Sequence, residues 1–517
     1  MTSLRVGVPR PFTIALTLLA LSCAEEQASR DRVLIMVVDG LRPDYVTDEI
    51  MPRLNALALS GFRGQAHHAV FPTVTRVNGP SIFTGMTPGS HGLLGNSVYL
   101  PNVDPSRTLD ASDADDLRSI DASTEGQLLT TPSLGEMLTE RGLVYFAVSS
   151  GSSGSGMLMN HRGAGAGLIH YEFTIPDSLG SVVAEVLGPE PTIPPGTPAV
   201  RRVARAVDEL LLIGVDRADA DVLSIWLTEP DGTAHREGIG APETMEVLRQ
   251  VDAEIGRLLD GLAERELLER TNIIVTSDHG FTTNQGGPSL EDLLVEAGLK
   301  ESEESTDVVV AGDAVHVNDS IAGGEDARID AIVTLLQRTE GFGPVFTRGA
   351  TTDTILGARA GTVSFSAIGW DHERSADILT SHDWTDAENE HGWRGVVLTG
   401  GTAGHGSSSP WDVHATLIAA GPGIKRNTAS PIPSGNVDVS PTVFALLGVP
   451  VPEGLDGRVL EEALVSGPQP GEMPLSTFPI VTSVDLGSMT YQLTVQRTLV
   501  GSKVYFDGTE VTRTSGR

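Results

Sequence analysis

The chain alternates short apolar runs with amphipathic stretches. Val33–Val38 (VLIMVV) is unbroken and rich in β-branched residues, the pattern of a strand buried on both faces of a parallel sheet. Val144–Val148, Val222–Leu227, Ile273–Thr276 and Val396–Thr399 repeat it, and a further run starts near Ala415. Helical patterns fall between them. Thr131-Pro132 opens one that stops before Gly142, and Ala204–Leu212 supplies another. From Pro242 to Glu264, Leu248, Val251, Ile255, Leu258, Leu259 and Leu262 recur at three- and four-residue steps on one face. Ser440-Pro441 and Gly448 bracket a short helix as N-cap, N1 proline and C′ glycine. Strands alternating with helices predict an α/β fold, a doubly wound, mostly parallel sheet.

Residues 285–390 break this rhythm with a helix of their own, Glu325–Arg338, among short polar segments, and read as an inserted cap. The expected organisation is a signal peptide over 1–22, a lipid-anchored linker over 23–31, catalytic core over 32–284 and 391–465, and a strand-rich tail over 466–517. The tail from Pro479 alternates apolar and polar positions, as edge hairpins do. The acidic run from Asp104 to Asp121 lacks the glycine and closing glutamate of a calcium loop and reads as a solvated loop.

Composition narrows the function. With 68 acidic and 35 basic residues among 517, the chain carries a formal charge of −33, which argues against binding a nucleic-acid duplex through phosphate contacts. A small phosphate ester held at cations is compatible with it, because the ion's local charge outweighs the global field. Arg5 and Arg10 precede the apolar stretch Pro11–Ser22, too short for the ~20 residues of a membrane span. It reads as a signal-peptide core. The only cysteine, Cys23, follows it in Ala20-Leu21-Ser22-Cys23, which resembles a bacterial lipobox. The expectation is an exported bacterial protein, in the periplasm or at the cell surface, touching a membrane only through a lipid on Cys23.

Chemistry gathers at the strand ends. Asp39 follows the first run directly, Asp231 and His235 follow Val222–Leu227, Asp278 and His279 follow Ile273–Thr276, and His405 lies in a glycine-rich loop past Val396–Thr399. In open α/β sheets the ligand crevice lies beyond the carboxyl ends of the strands. Three Asp and three His supply the oxygen and imidazole donors that Zn²⁺ accepts, and Mn²⁺ or Fe can use the same groups. Six ligands exceed the needs of one ion. They suit two cations about 3.5–4 Å apart, an arrangement that serves phosphoryl displacement. The segment Phe71–Ser81 offers hydroxyls as nucleophiles in Thr73 and Thr75.

VVDGLRPDYV, FPTVTRVNGPSIFTGMTPGSHGLLGN, EPDGTAH, TSDHGF and GTAGHG, in that order, resemble the alkaline phosphatase superfamily, most closely its nucleotide pyrophosphatase/phosphodiesterase branch. The resemblance covers about Arg32 to Leu460. It implies an alkaline phosphatase-like fold and two Zn²⁺, with Thr75 as the nucleophile, Thr73 as its rival, and Asn78 as donor to a non-bridging phosphoryl oxygen. Asp39, Thr75, Asp278 and His279 would hold one zinc, and Asp231, His235 and His405 the other. Where the family often has Phe-Pro after the nucleophile, this chain has Arg76-Val77. Arg76 is therefore a substrate-binding candidate that stacks on a base, pairs with a second negative group, or points into solvent. His91 reads as structural, His414 as a core or supporting residue, and His67 and His68 have no evident partner.

The implied activity is hydrolysis of phosphate diesters through a phosphothreonine intermediate. A phosphomonoesterase is the alternative, its extra substrate charge met by Arg76. A sulfatase is less compatible, since the C/S-x-P-x-R sequence is absent. A non-catalytic metal-binding lipoprotein has no need of a hydroxyl at the nucleophile position.

Overall fold

The computed structural model describes Thr2 and residues 31–318, 324–351 and 354–516. The expected signal-peptide core and Cys23 lie outside the described residues. Among these, a ten-stranded mixed sheet forms the centre, in the order Thr428–Ser430, Phe62–His68, His414–Ala420, Thr271–Thr276, Arg32–Val38, Val222–Leu227, Tyr145–Ser149, Gly167–His170 and Thr174–Ile175. Ser434–Gly435 also runs along Phe62–His68. The five strands from Thr271–Thr276 to Gly167–His170 are parallel. The fold is thus the expected α/β one with a mostly parallel centre.

The first strand shows why the apolar runs are unbroken. Leu34, Met36 and Val38 pack with Leu248, Val251, Ile255, Leu258 and Leu262 of the Pro242–Glu264 helix. Val33, Ile35 and Val37, alternating with them, pack with Ile82, Phe83, Val443 and Phe444. A strand covered by helices on both faces has no side to give to water. Truncating Leu248 to Ala would cost about 2–5 kcal/mol by leaving a cavity under the sheet.

Among the described residues four smaller sheets accompany this centre, the least of them the pair Ser97–Val98 and Leu109–Asp110. Val308–Ala311, Ala314–Val317, Ile378–His382, Phe342–Thr347 and Val363–Ser364 form one, covered by the Glu325–Arg338 helix through Ile329, Ile332, Val333 and Leu336. Trp384–Glu388, Arg394–Val397, Thr282–Asn284 and Ala403–Gly404 form a second. Here two expectations need correction. The run Val396–Thr399 is not a strand of the central sheet: its strand, Arg394–Val397, pairs with Thr282–Asn284 and Trp384–Glu388 in the small sheet. The run near Ala415 is a central strand, but it lies antiparallel to both of its neighbours. Apolarity marks burial and carries no information on direction or on which sheet receives a strand.

The tail is more than an edge. Leu475–Thr477, Ile480–Asp485, Met489–Val500 and Lys503–Ser515 make a separate antiparallel sheet. Its Tyr491, Leu493, Val495 and Phe506 pack with Phe71, Phe346, Phe365 and Trp370. The tail sheet thereby braces the segment that leads into Thr75.

Candidate active site

Register brings the strand ends level. Val38 pairs with Leu227 and Val37 with Thr276, all in parallel. Asp39 therefore emerges between the chains that lead to Asp231 and Asp278. Asp231 opens the short helix Asp231–Glu237 and His235 stands one turn on, so both face the same way. The buried Glu229 carboxylate fixes that turn, accepting from Thr233 N at 3.0 Å and Ala199 N at 2.8 Å. At Gly40, with φ +69°, an added Cβ would lie 3.1 Å from Phe281 and 3.3 Å from Asp231. Its N–H donates to Asp278 Oδ1 at 3.1 Å. Only glycine lets the first strand end turn this tightly against the others.

Two ligand sets result: Asp39, Asp278 and His279, all buried, and Asp231, His235 and His405, partly open. Within each set one ligand atom per residue lies within 4.8 Å of the others. The sets adjoin, since the His279 and His405 rings stack with centroids 3.4 Å apart.

The hydrogen bonds around these residues have a common sense. His279 Nδ1 bonds Gly280 O at 2.9 Å, His235 Nδ1 bonds Ala403 O at 3.0 Å, and His405 Nδ1 bonds Thr73 O at 2.9 Å. A carbonyl only accepts, so each Nδ1 carries the proton and each Nε2 is turned inward. There Asp278 Oδ2 lies 3.1 Å from His279 Nε2, and Asp231 Oδ1 lies 3.3 Å from His235 Nε2 and 3.4 Å from His405 Nε2. Asp39 Oδ1, Asp231 Oδ1 and Asp278 Oδ2 are buried without a hydrogen-bond partner, one oxygen from each aspartate. Unpaired buried carboxylate oxygens aimed at inward imidazole nitrogens fit divalent cations, with the backbone carbonyls as the outer support that orients metal-binding histidines.

Charge at the site is correspondingly unbalanced. Burial, with Asp278 and Asp231 nearby, holds Asp39 well above the usual carboxylate range. Burial also disfavours charge on Asp231, but the adjoining His235 and His405 imidazoles outweigh it and keep that carboxyl well below its ordinary value. Burial and the neighbouring His279 push His405 down to about 4.

Thr75 begins the Thr75–Thr84 helix, and its Oγ1 lies 3.2 Å from His279 Nε2, within the first ligand set. Thr73 faces elsewhere. Its hydroxyl donates to Ser407 O at 2.8 Å and accepts from Gly406 N at 3.1 Å, which ties the segment before Thr75 to the His405 loop.

The role implied for Asn78 is corrected by its contacts. Asn78 is fully buried. Its Oδ1 accepts from Val70 N at 2.8 Å and Asn436 Nδ2 at 3.0 Å, and its Nδ2 donates to the carbonyls of Val70, Pro72 and Val74. A saturated amide has no donor left for a phosphoryl oxygen, so Asn78 shapes the segment that presents Thr75. Asn436 extends this support, since its Nδ2 also donates to Asp278 O at 2.8 Å. His67 stands behind, bonded to Thr276 Oγ1 and Asn436 Oδ1 at 3.1 Å and Ser434 Oγ at 2.9 Å.

The residue missed from sequence is Asn96. Its Oδ1 accepts from Arg76 N at 3.0 Å, which orients the amide beside Thr75, and among the described residues its Nδ2 has no partner. It is the last residue of the HGLLGN stretch, and no periodicity or spacing singles it out. Arg76 does not extend into solvent; its Nη2 donates to Ser152 Oγ at 2.7 Å.

The remaining candidates take structural roles. His91 is buried behind the Thr75–Thr84 helix, 3.2 Å from Ser81 Oγ. His68 pairs with Asp507 at 2.9 Å. His414 starts the His414–Ala420 strand, opposite His68. In the acidic run, Asp113 caps the Ala114–Ser123 helix, and Asp116 and Asp121 pair with Arg107 and Arg162.

Residues 33–361 match the family model for type I phosphodiesterase / nucleotide pyrophosphatase. Over 253 residues the chain is 27% identical to venom phosphodiesterase 2 of Crotalus adamanteus, covering 48% of this chain and 26% of that protein. Over 280 residues it is 26% identical to human ectonucleotide pyrophosphatase/phosphodiesterase family member 7, covering 53% of each. The matched stretch thus spans between about a quarter and a half of these relatives' lengths. Among solved structures, murine ectonucleotide pyrophosphatase/phosphodiesterase 5 superposes with a TM-score of 0.55 at 17% identity, covering 81% of this chain and 96% of that one. An inactive form of the same murine protein, in complex with AMP, superposes with a TM-score of 0.56 at 16% identity.

Proposed function

The chain belongs to the type I phosphodiesterase / nucleotide pyrophosphatase family, and from that premise we propose that it hydrolyses phosphate diesters with Thr75 as nucleophile. One observation carries the reading. Three orphaned aspartate oxygens and three inward imidazole nitrogens form two adjoining sets, and the Thr75 hydroxyl lies 3.2 Å from His279 Nε2 in one of them. A binding site has no use for that hydroxyl, whereas a phosphoryl-transfer site does.

Asp39, Asp278 and His279, with Thr75, would hold one divalent cation, and Asp231, His235 and His405 the other. Zinc fits the mixed carboxylate and imidazole donors. When bound, such cations lower the pKa of a hydroxyl or water and neutralise charge on phosphorus oxygens. The chain does the rest. His279 positions the Thr75 Oγ1, which gives up its proton to water and attacks phosphorus as the ester oxygen leaves on the opposite side with the bonding electron pair. Asn96 Nδ2 donates to a non-bridging oxygen, a contact that strengthens as charge builds there. Water then cleaves the phosphorus–oxygen bond to Thr75 and restores the hydroxyl. Asn78, Asn436 and Thr73 touch no reacting atom; they position the segment. The relatives' nucleotide pyrophosphatase names and the AMP complex support nucleotide-type diesters among the substrates. Export with a lipid on Cys23 belongs to the same reading; among the described residues no helix is long and apolar enough to cross a membrane.

The test is hydrolysis of bis-p-nitrophenyl phosphate. Turnover should vanish with chelator, return with Zn²⁺, and be lost in Thr75→Ala protein that keeps its metal content. Turnover by Thr75→Ala at the wild-type rate would overturn the reading.

A further inference from the structure

The esterase reading leaves one charged group in the crevice unexplained, and the inference here rests on that reading. Arg76 directly follows Thr75. Its side chain is half-buried, its Nη2 meets only the Ser152 hydroxyl, and its Nε is buried with no partner. Among the described residues it has no carboxylate partner. Elsewhere some guanidinium groups are met by acid, as in Arg205 with Glu209, Arg458 with Glu462 and Arg513 with Asp383, whereas Arg374 and Arg497 bond backbone carbonyls. Arg76 differs from those two in standing beside the nucleophile, so in a chain of 68 acidic residues a positive group there that forms no ion pair, its charge felt only at a distance by Asp39, has its negative partner still to come.

The surroundings favour an anion over a flat ring. Ser152 belongs to the segment Ser149–Ser155, which is made only of serine and glycine. This segment leaves the carboxyl end of the Tyr145–Ser149 strand, at the same edge of the sheet as Asp39. Ser152 Oγ is held by Ser155, accepting from its N at 3.2 Å and lying 2.9 Å from its Oγ, so the prop under Arg76 is fixed. The Arg76 backbone N–H meanwhile orients Asn96. Guanidinium and carboxamide thus issue from one point, and among the described residues no aromatic ring lies against the Arg76 guanidinium. We propose that Arg76, propped by Ser152, is a specificity-determining residue that binds a second negative charge on the substrate. The substrate class is a phosphate ester carrying either a third charged phosphoryl oxygen or an anionic substituent next to phosphorus.

Three p-nitrophenyl esters test this on the metal-loaded full chain: p-nitrophenyl phosphate, carboxymethyl p-nitrophenyl phosphate and methyl p-nitrophenyl phosphate. In Arg76→Ala, kcat/KM for at least one of the doubly charged esters should fall about 10- to 100-fold further than for the methyl ester, the worth of a hydrogen bond to a charged group. Arg76→Lys should recover part of that difference, and Ser152→Ala should lose a smaller part. A loss on p-nitrophenyl phosphate places the charge on the phosphoryl group; a loss on the carboxymethyl ester places it on the substituent. Equal losses on all three esters would overturn the assignment of Arg76 and leave the esterase reading standing. A wild-type protein that cleaves none of them would overturn both.

Discussion

The two ligand sets draw on the same residue types yet are built differently. Asp39, Asp278 and His279 sit at the ends of central strands, at 5%, 0% and 0% exposure. They are backed by Trp226, whose Nε1 donates to Asp39 Oδ2 at 2.9 Å, and by Gly40 and Asn436. Asp231 and His235 lie on a two-turn helix and His405 on a loop of the small sheet, and the His235 side chain is 42% exposed. A site assembled from sheet ends inherits the sheet's rigidity, while one assembled from a short helix and a loop keeps an open side for water and substrate. Thr75, the proposed nucleophile, joins the rigid set, where about half an ångström matters most.

The largest test of that contrast lies at its centre. Thr75→Ala should lower kcat for bis-p-nitrophenyl phosphate by at least about 10⁴-fold while atomic absorption finds metal content unchanged; a loss of metal would mean the hydroxyl is a ligand more than a nucleophile. Asn96→Ala should cost about 10²- to 10³-fold in kcat with little change in KM, and Asn78→Ala should instead show first as a lower melting temperature. Between the sets, Asp278→Ala should abolish binding at the buried site, and His235→Ala should weaken metal retention only about 10- to 100-fold. Excess Zn²⁺ should rescue the second variant and not the first. Equal rescue would erase the distinction between a rigid and an open set.

The smallest effect concerns the support behind the buried set. Burial, opposed in part by the Asn436 hydrogen bond, pushes His67 from 6.5 down to about 3. The folded protein therefore binds a proton there less readily than the unfolded chain. The stabilisation from neutral His67 is complete above about pH 6.5 and is lost as pH falls toward 3, worth on the order of a few kcal/mol. Urea midpoints at pH 8 and pH 5 should show the drop, and His67→Asn should make it smaller without removing it, since burial lowers His91, His170, His316 and His414 in the same sense.

Much of this was legible in the chain, for reasons particular residues make plain. VLIMVV reads as a doubly covered strand because both faces of Val33–Val38 are packed. The Asp and His at strand ends read as ligands because parallel strands share one carboxyl edge. Illegible were features set by contacts distant in sequence. Asn78 looks available until Val70 and Asn436 are seen to saturate it, and Asn96 looks idle until Arg76 N is seen to orient it. Val396–Thr399 has the apolarity of a central strand, yet Thr282–Asn284 draws its strand into the small sheet.

Periodicity and residue type, then, determined the class of fold and the kinds of atoms available for chemistry, because burial and ligand character are properties of single residues and their near neighbours. Which amide is spent on the backbone, which threonine hydroxyl reaches a ligand set, and whether the arginine beside it forms an ion pair were decided only by tertiary structure. A polar group's availability depends on every partner it has already found, and those partners arrive from all along the chain.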